Sequence, residues 1–113
     1  MRRFLLYIMF VLTVSSCSDP VEIPPDVLSQ EKMAAILTDV QLVEAQIQME
    51  QLERNDSTKA VVYGYYKYIF QKHKISPEQF KTSFMFYSNH LDLLEHIYDD
   101  VLINLSKREA GAE

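Results

Sequence analysis

Beyond about residue 29 the apolar positions recur every three to four residues, which is the period of a helix and leaves no stretch alternating like a strand. The first predicted helix starts near Ser29 or Gln30 and runs to about Arg54. Asn55-Asp56-Ser57 then reads as a turn. Asp56 or Ser57 caps a second helix that reaches about Lys72. Ser76-Pro77-Glu78-Gln79 is a strong start signal: Ser76 as N-cap, Pro77 at the first helical position and Gln79 completing a capping box. The third helix runs from there to about Ser88, and Asn89 caps a fourth that extends to about Lys107. The loops between them hold only a few residues. The expected fold is therefore all-α, a small bundle of about four helices with neighbours packed antiparallel or at steep angles.

The faces differ in character. In the fourth helix Leu91, Leu94, Ile97, Tyr98, Val101 and Leu105 share one side and Asp92, His96 and Asp99 the other, with Ile103 as the exception. The first helix carries two stripes. Met33, Ile36, Leu37, Val40, Val43 and Ile47 form one; Leu42, Ala45, Met49 and Leu52 form a second, roughly opposite. A surface helix usually shows one apolar stripe and a polar back. Two stripes mean either a helix gripped on both sides within its domain or one that offers Leu42, Ala45, Met49 and Leu52 to a partner. Glu44 falls inside the first stripe, where an unpaired carboxylate is costly. It either reaches the domain edge, accepts a tyrosine hydroxyl, or makes a polar contact to a ligand or partner. Asp39 lies on a flank with Gln46 and Glu50 and is expected at the surface.

Every Phe and Tyr after residue 17 lies between Tyr63 and Tyr98. Val62, Tyr65, Tyr66, Ile69 and Phe70 share a face and are core candidates, as is the line Phe80–Phe84–Tyr87. Tyr63, Tyr68 and Phe86 sit off those faces. Stacking in a small core accounts for such a set; an aromatic groove contacting an apolar ligand through Tyr63, Tyr68 and Phe86 is the sharper alternative.

The N-terminus is different. Arg2 and Arg3 precede an apolar run, Phe4–Val14, too short to cross a bilayer, which takes about 20 residues, and of signal-peptide length. The run ends in Val14-Ser15-Ser16-Cys17, which resembles the lipobox of bacterial lipoproteins. That resemblance implies cleavage before Cys17 and attachment of two or three fatty chains to its thiol. One chain alone binds reversibly, at about 0.8 kcal/mol per buried methylene. A plain secretory signal or a short anchor with Cys17 incidental is the other reading. Ser18 after the cysteine, and the sparse acids Asp19 and Glu22, favour the outer membrane and its periplasmic face. Residues 18–28 hold three of the four prolines and read as an extended tether. The expected organisation is thus a signal peptide (1–16), lipidated N-terminus and tether (17–28), helical domain (29–107) and disordered tail (108–113).

Composition narrows the function. Loss of residues 1–16 leaves 97 of 113 residues and takes the formal charge from −5 to −7. Such acidity argues against nucleic acid, which needs clustered Lys and Arg. Cys17 is the single cysteine, so no disulfide, thiolate metal site or catalytic thiol remains. His73, His90 and His96 lack the spacing for two ligands on one helical face. No nucleophile elbow, phosphate loop or paired-acid cleft is present. The expectation is a protein that is not an enzyme and needs no cofactor or metal beyond the lipid on Cys17.

Pro25 to Ala45, with Lys32-Met-Ala-Ala-Ile-Leu-Thr-Asp-Val-Gln-Leu-Val-Glu-Ala45, resembles the opening of one set of small Bacteroidota lipoproteins. So do Tyr68-x-Phe70, Lys72-His73-Lys74-Ile75-Ser76-Pro77-Glu78-Gln79-Phe80, and then Ser83, Tyr87, Ile97-Tyr98, Val101 and Leu105. The family is catalogued as a domain of unknown function, number four-two-nine-six. Ile75 to Phe80 is the most specific part, and Lys74 stands where the resemblance leads to glycine. The resemblance spans nearly all the chain after Cys17 and implies a lipoprotein signal and an all-helical domain, but no activity and no site. The residues themselves favour a membrane-anchored module that binds an envelope protein. The alternative is a carrier or chaperone-like binder of apolar ligands or unfolded segments, and a plain spacer is a third reading.

Overall fold

The computed structural model describes residues 1–11, 20–49 and 56–111. Among these the chain forms five helices and no strand: α1 (Arg2–Val11), α2 (Gln30–Met49), α3 (Asp56–His73), α4 (Pro77–Ser88) and α5 (Leu91–Glu109). The all-α architecture is as expected. α2 to α5 are the four helices of the domain, and α1 lies within the basic and apolar N-terminal segment. Cys17 and Leu52 lie outside the described residues.

Local chemistry sets the helix ends. Ser29 opens α2, its Oγ accepting from Lys32 N–H at 3.1 Å. Ser76 opens α4 in the same way, with extended backbone and Oγ accepting from Gln79 N–H at 3.1 Å, followed by Pro77. Asn89 does not cap α5. It ends α4, its N–H donating back to Met85 and Phe86 carbonyls, and His90 precedes α5 without a side-chain cap. The His90 ring instead stacks on Phe86, centroids 4.3 Å apart. α3 ends in a Schellman turn: Ile75 N–H donates to Phe70 O and Lys74 N–H to Gln71 O. Lys74 sits there at φ 57°, the left-handed conformation that suits glycine.

The core explains why α2 looks apolar on two sides. From Met33 to Val40 nearly every side chain is buried, including Thr38 and Asp39, as for a helix surrounded by its neighbours. α5 covers it most extensively, with Ile97 and Val101 in the core, α3 brings Ile69, and Tyr87 of α4 joins the same core. Beyond Val40 burial falls away, and α2 continues as an arm beside α3, which meets it where Tyr66 Oη reaches Glu44. Leu91 also departs from expectation. It lies on the apolar side of α5 by spacing but is exposed at the helix start, as Tyr98 is at the margin.

Both domain boundaries move outwards. Val27 and Leu28 are buried in the core and Ile23 packs against it, so the second half of the expected tether is part of the domain. Leu28 is held by its backbone: its N–H donates to Ser83 Oγ at 2.9 Å, and its carbonyl accepts from Tyr87 Oη at 2.6 Å. Ser83 and Tyr87 are themselves fully buried. Burial pushes the Tyr87 hydroxyl up in pKa, so it remains a donor. At the other end, α5 continues through Arg108, expected in a frayed tail, because its guanidinium is tied into the core at Asp39.

Candidate functional site

Three features stand out. The first is the outer face of α2. Leu42 and Met49 are 39% and 83% exposed, and Ala45 between them is also exposed. They recur at three- and four-residue intervals and so form one apolar strip on the projecting arm. The described part of this stripe is therefore at the surface and not gripped inside the domain, whose α5 and α3 pack on α2. Glu44 is exposed on the same arm and accepts Tyr66 Oη at 3.0 Å. It is a carboxylate at the domain edge, bonded to a tyrosine.

The second is a groove of about 750 Å³ along α3, lined by Lys59, Val62, Tyr63, Tyr66, Lys67, Phe70 and Gln71, with Ile75 and Pro77 at one end. These positions follow a helical repeat over about 18 Å of axis. Phe70 packs on Phe80 at 5.1 Å and leans towards Tyr66 at 6.3 Å, so the floor continues into the core. Burial raises the Tyr66 pKa, and the Glu44 carboxylate raises it further; the hydroxyl stays protonated and pinned to α2. Of the three aromatics expected to contact a ligand, the groove includes Tyr63. Tyr68 is exposed but elsewhere, and Phe86 packs edge-on to Tyr87 and flat on His90. Of the core candidates Val62, Tyr66 and Phe70, the last two pack against the core, and all three also line the groove. Among the described residues of α3, Ile69 is the one fully buried, and Tyr66 and Phe70 are partly buried against the core. The signal in the sequence was the excess of aromatics over what four short helices can bury.

The third is a charged node at Asp39. Its Oδ2 lies 2.6 Å from His73 Nε2 and 3.2 Å from Lys72 Nζ, and its Oδ1 lies 2.8 Å from Arg108 Nη1. Asp39 is not a surface residue: its side chain is 8% exposed. Burial raises its pKa, but the hydrogen bonds from His73, Arg108 and Lys72 outweigh burial and hold it below the ordinary 3.8. An ionised carboxylate only accepts, so His73 Nε2 carries the proton between them. The node ties α3 and α5 to α2. Nearby, Asn104 donates to Thr38 Oγ1, which donates to Ala34 O. In this arrangement one carboxylate faces three donors, and no group of three metal-ligating side chains occurs among the described residues. Sequence spacing alone did not reveal it, although Asp39 and the Lys72-His73 pair both fall in stretches that carry the family resemblance.

Comparison with known proteins fits these boundaries. No curated protein and no solved structure matches the chain. A family model described as "Domain of unknown function (DUF4296)" matches residues 24–111. That span starts just before the clamped Leu28 and closes just after Arg108, and so takes in the whole Asp39 node and the groove. The chain belongs to the DUF4296 family.

Proposed function

We propose that this protein is a lipid-anchored, non-enzymatic interaction module of the bacterial envelope, held through Cys17 at the outer membrane with its domain on the periplasmic side. The observation that carries the interaction reading is the exposed apolar strip Leu42, Ala45 and Met49 along α2. The strip's partner is an envelope protein with a complementary apolar patch. No cofactor other than the covalent lipid and no metal enters this reading.

The anchor reading rests on Arg2, Arg3, the apolar run and the tetrad ending in Cys17. Helix α1 has 10 residues, about 15 Å of rise against about 30 Å of hydrocarbon, and no described helix is long and apolar enough to cross a membrane. Ile23, Val27 and Leu28 pack on the domain, and five residues separate Cys17 from Ile23 in the sequence. That reaches at most roughly 20 Å and keeps the domain close to the lipid surface.

The test is crosslinking in intact cells with wild type and a Leu42→Asp/Met49→Asp double variant. Both positions are exposed, so the variant keeps the wild-type helical spectrum and loses the crosslinked partner. A folded double variant that retains every partner refutes the interaction reading. Cys17→Ser should release the protein from membranes and abolish fatty-acid labelling; membrane association without labelling refutes the anchor. A second reading, binding of apolar ligands, is favoured by the α3 groove, in which Tyr63→Ala should weaken binding of an apolar probe.

A further inference from the structure

The path of the chain after Cys17 bears on which side of the domain meets the membrane. Leu28 is pinned to α4, its N–H donating to Ser83 Oγ and its carbonyl accepting from Tyr87 Oη. The chain therefore comes onto the domain against α4, and Ile23, which already packs on the core, stands only six positions after Cys17. The outer side of α4 has a matching character. Lys81, Phe84, Met85 and Ser88 recur at three- and four-residue intervals, away from the buried Ser83 and Tyr87. Phe84 and Met85 are exposed, Met85 by 56%, as is Leu91 at the corner into α5. Lys81 is exposed beside them. From Gln79 to Leu91 the sequence holds no acidic residue, although the net charge of the chain is −5. Apolar side chains flanked by a lysine are what an interfacial helix presents to lipid, with hydrocarbon at the acyl boundary and an ammonium group among the phosphates. So small a patch does not hold a free protein on a membrane. Behind a short link it meets the surface intramolecularly, at an effective concentration in the millimolar range, and a weak contact suffices.

We propose that the outer side of α4 rests on the lipid surface, with Phe84 and Met85 at the acyl boundary and Lys81 among the headgroup phosphates. This rests on the anchor reading above and adds the orientation of the domain. α2 starts at the same end, directly after Leu28 and Ser29, and its 20 residues place Met49 about 30 Å away. The lipid contact thus leaves the far end of α2 clear of the membrane.

The experiment uses the full lipidated chain, purified from cells and reconstituted into vesicles of phosphatidylethanolamine and phosphatidylglycerol. Ser88→Cys, on the same side of α4, and Met49→Cys provide single sites for a thiol-reactive fluorophore, because the thioether occupies Cys17. Quenching by headgroup spin-labelled lipid reads proximity to the surface. The expected result is strong quenching at position 88 and little at position 49. Lys81→Gln should lower the ratio of docked to undocked domain about fivefold, the share of one lysine at an anionic surface, and leave it unchanged in vesicles of phosphatidylethanolamine and phosphatidylcholine. Met85→Asp, at an exposed position that leaves the helical spectrum intact, should abolish the quenching at position 88. Equal quenching at the two positions, or quenching at position 88 that ignores both Lys81→Gln and Met85→Asp, overturns the α4 contact, while flotation with the vesicles keeps the anchor. A wild type that takes up the fluorophore at Cys17 and does not float with the vesicles removes the anchor and the contact together. Energy transfer between labelled copies, in place of quenching by lipid, gives this face to a second copy and likewise overturns the proposal.

Discussion

Replacing Asp39 by alanine should loosen the attachment of α3 and α5 to α2 together. The carboxylate is buried and receives donors from two other helices. A hydrogen bond to a charged group contributes about 1.5–3 kcal/mol net. Lys72 is about half exposed, so its share falls to that of a surface pair, at most about 1 kcal/mol. His73 and Arg108 are 13% and 32% exposed and carry most of the effect. Against them stands the desolvation of the carboxylate, which disappears with it. Loss of one partner from a buried pair costs about 3–5 kcal/mol; with partners that can rehydrate in part, the lower end applies, about 3 kcal/mol. For a domain of this size that is a fall of roughly 12–24 °C in Tm. The assay is urea unfolding followed by far-ultraviolet circular dichroism, with the slope checked for constancy. Asp39→Asn, which keeps volume and one acceptor, should lie between. The sign of the pH dependence follows from the lowered pKa. The stabilisation is complete above the ordinary carboxylate range and is lost as pH falls through the depressed value, below 3.8. The difference between wild type and Asp39→Asn should therefore shrink on acidification. An Asp39→Ala variant within about 0.5 kcal/mol of wild type at neutral pH would refute the node's role, that margin being typical of an inert surface change.

Other expectations are simpler. Tyr87→Phe leaves the buried Leu28 carbonyl without its donor and should cost about 1–2 kcal/mol, with faster hydrogen exchange of the Leu28 amide. Lys74→Gly relieves a left-handed backbone at φ 57° and should stabilise by about 1 kcal/mol in the same urea titration; destabilisation would mean that the lysine side chain makes a compensating contact. Ile97→Ala, at a fully buried position between α5 and α2, should cost about 2–5 kcal/mol, read as a lowered urea midpoint with unchanged slope.

The sequence by itself determined the elements. Helical periodicity, Ser29, Asp56 and the Ser76-Pro77 start are local signals, because capping and amphipathic spacing act within one or two turns. They placed α4 residue for residue and the starts of α2, α3 and α5 to within two residues, while the helix end expected near Arg54 and the turn at Asn55 lie outside the described residues. The core stripe of α2 from Met33 to Val40 was legible for the same reason. Asn89 was misplaced because it stands between two helices, and only the backbone decides which of them it serves.

What the tertiary structure decided was which faces meet. Asp39 by spacing belongs to a polar flank; its burial depends on Lys72, His73 and Arg108, more than 30 and nearly 70 positions away, arriving together. Leu28 by composition belongs to a proline-rich linker; it is in the core because Ser83 and Tyr87 satisfy its backbone. Leu42 and Met49 are exposed and Tyr66 and Phe70 only partly buried, because no described element packs fully over them. Periodicity tells which residues share a side of one helix, but burial depends on whether another element reaches that side, and that is a property of the assembled domain.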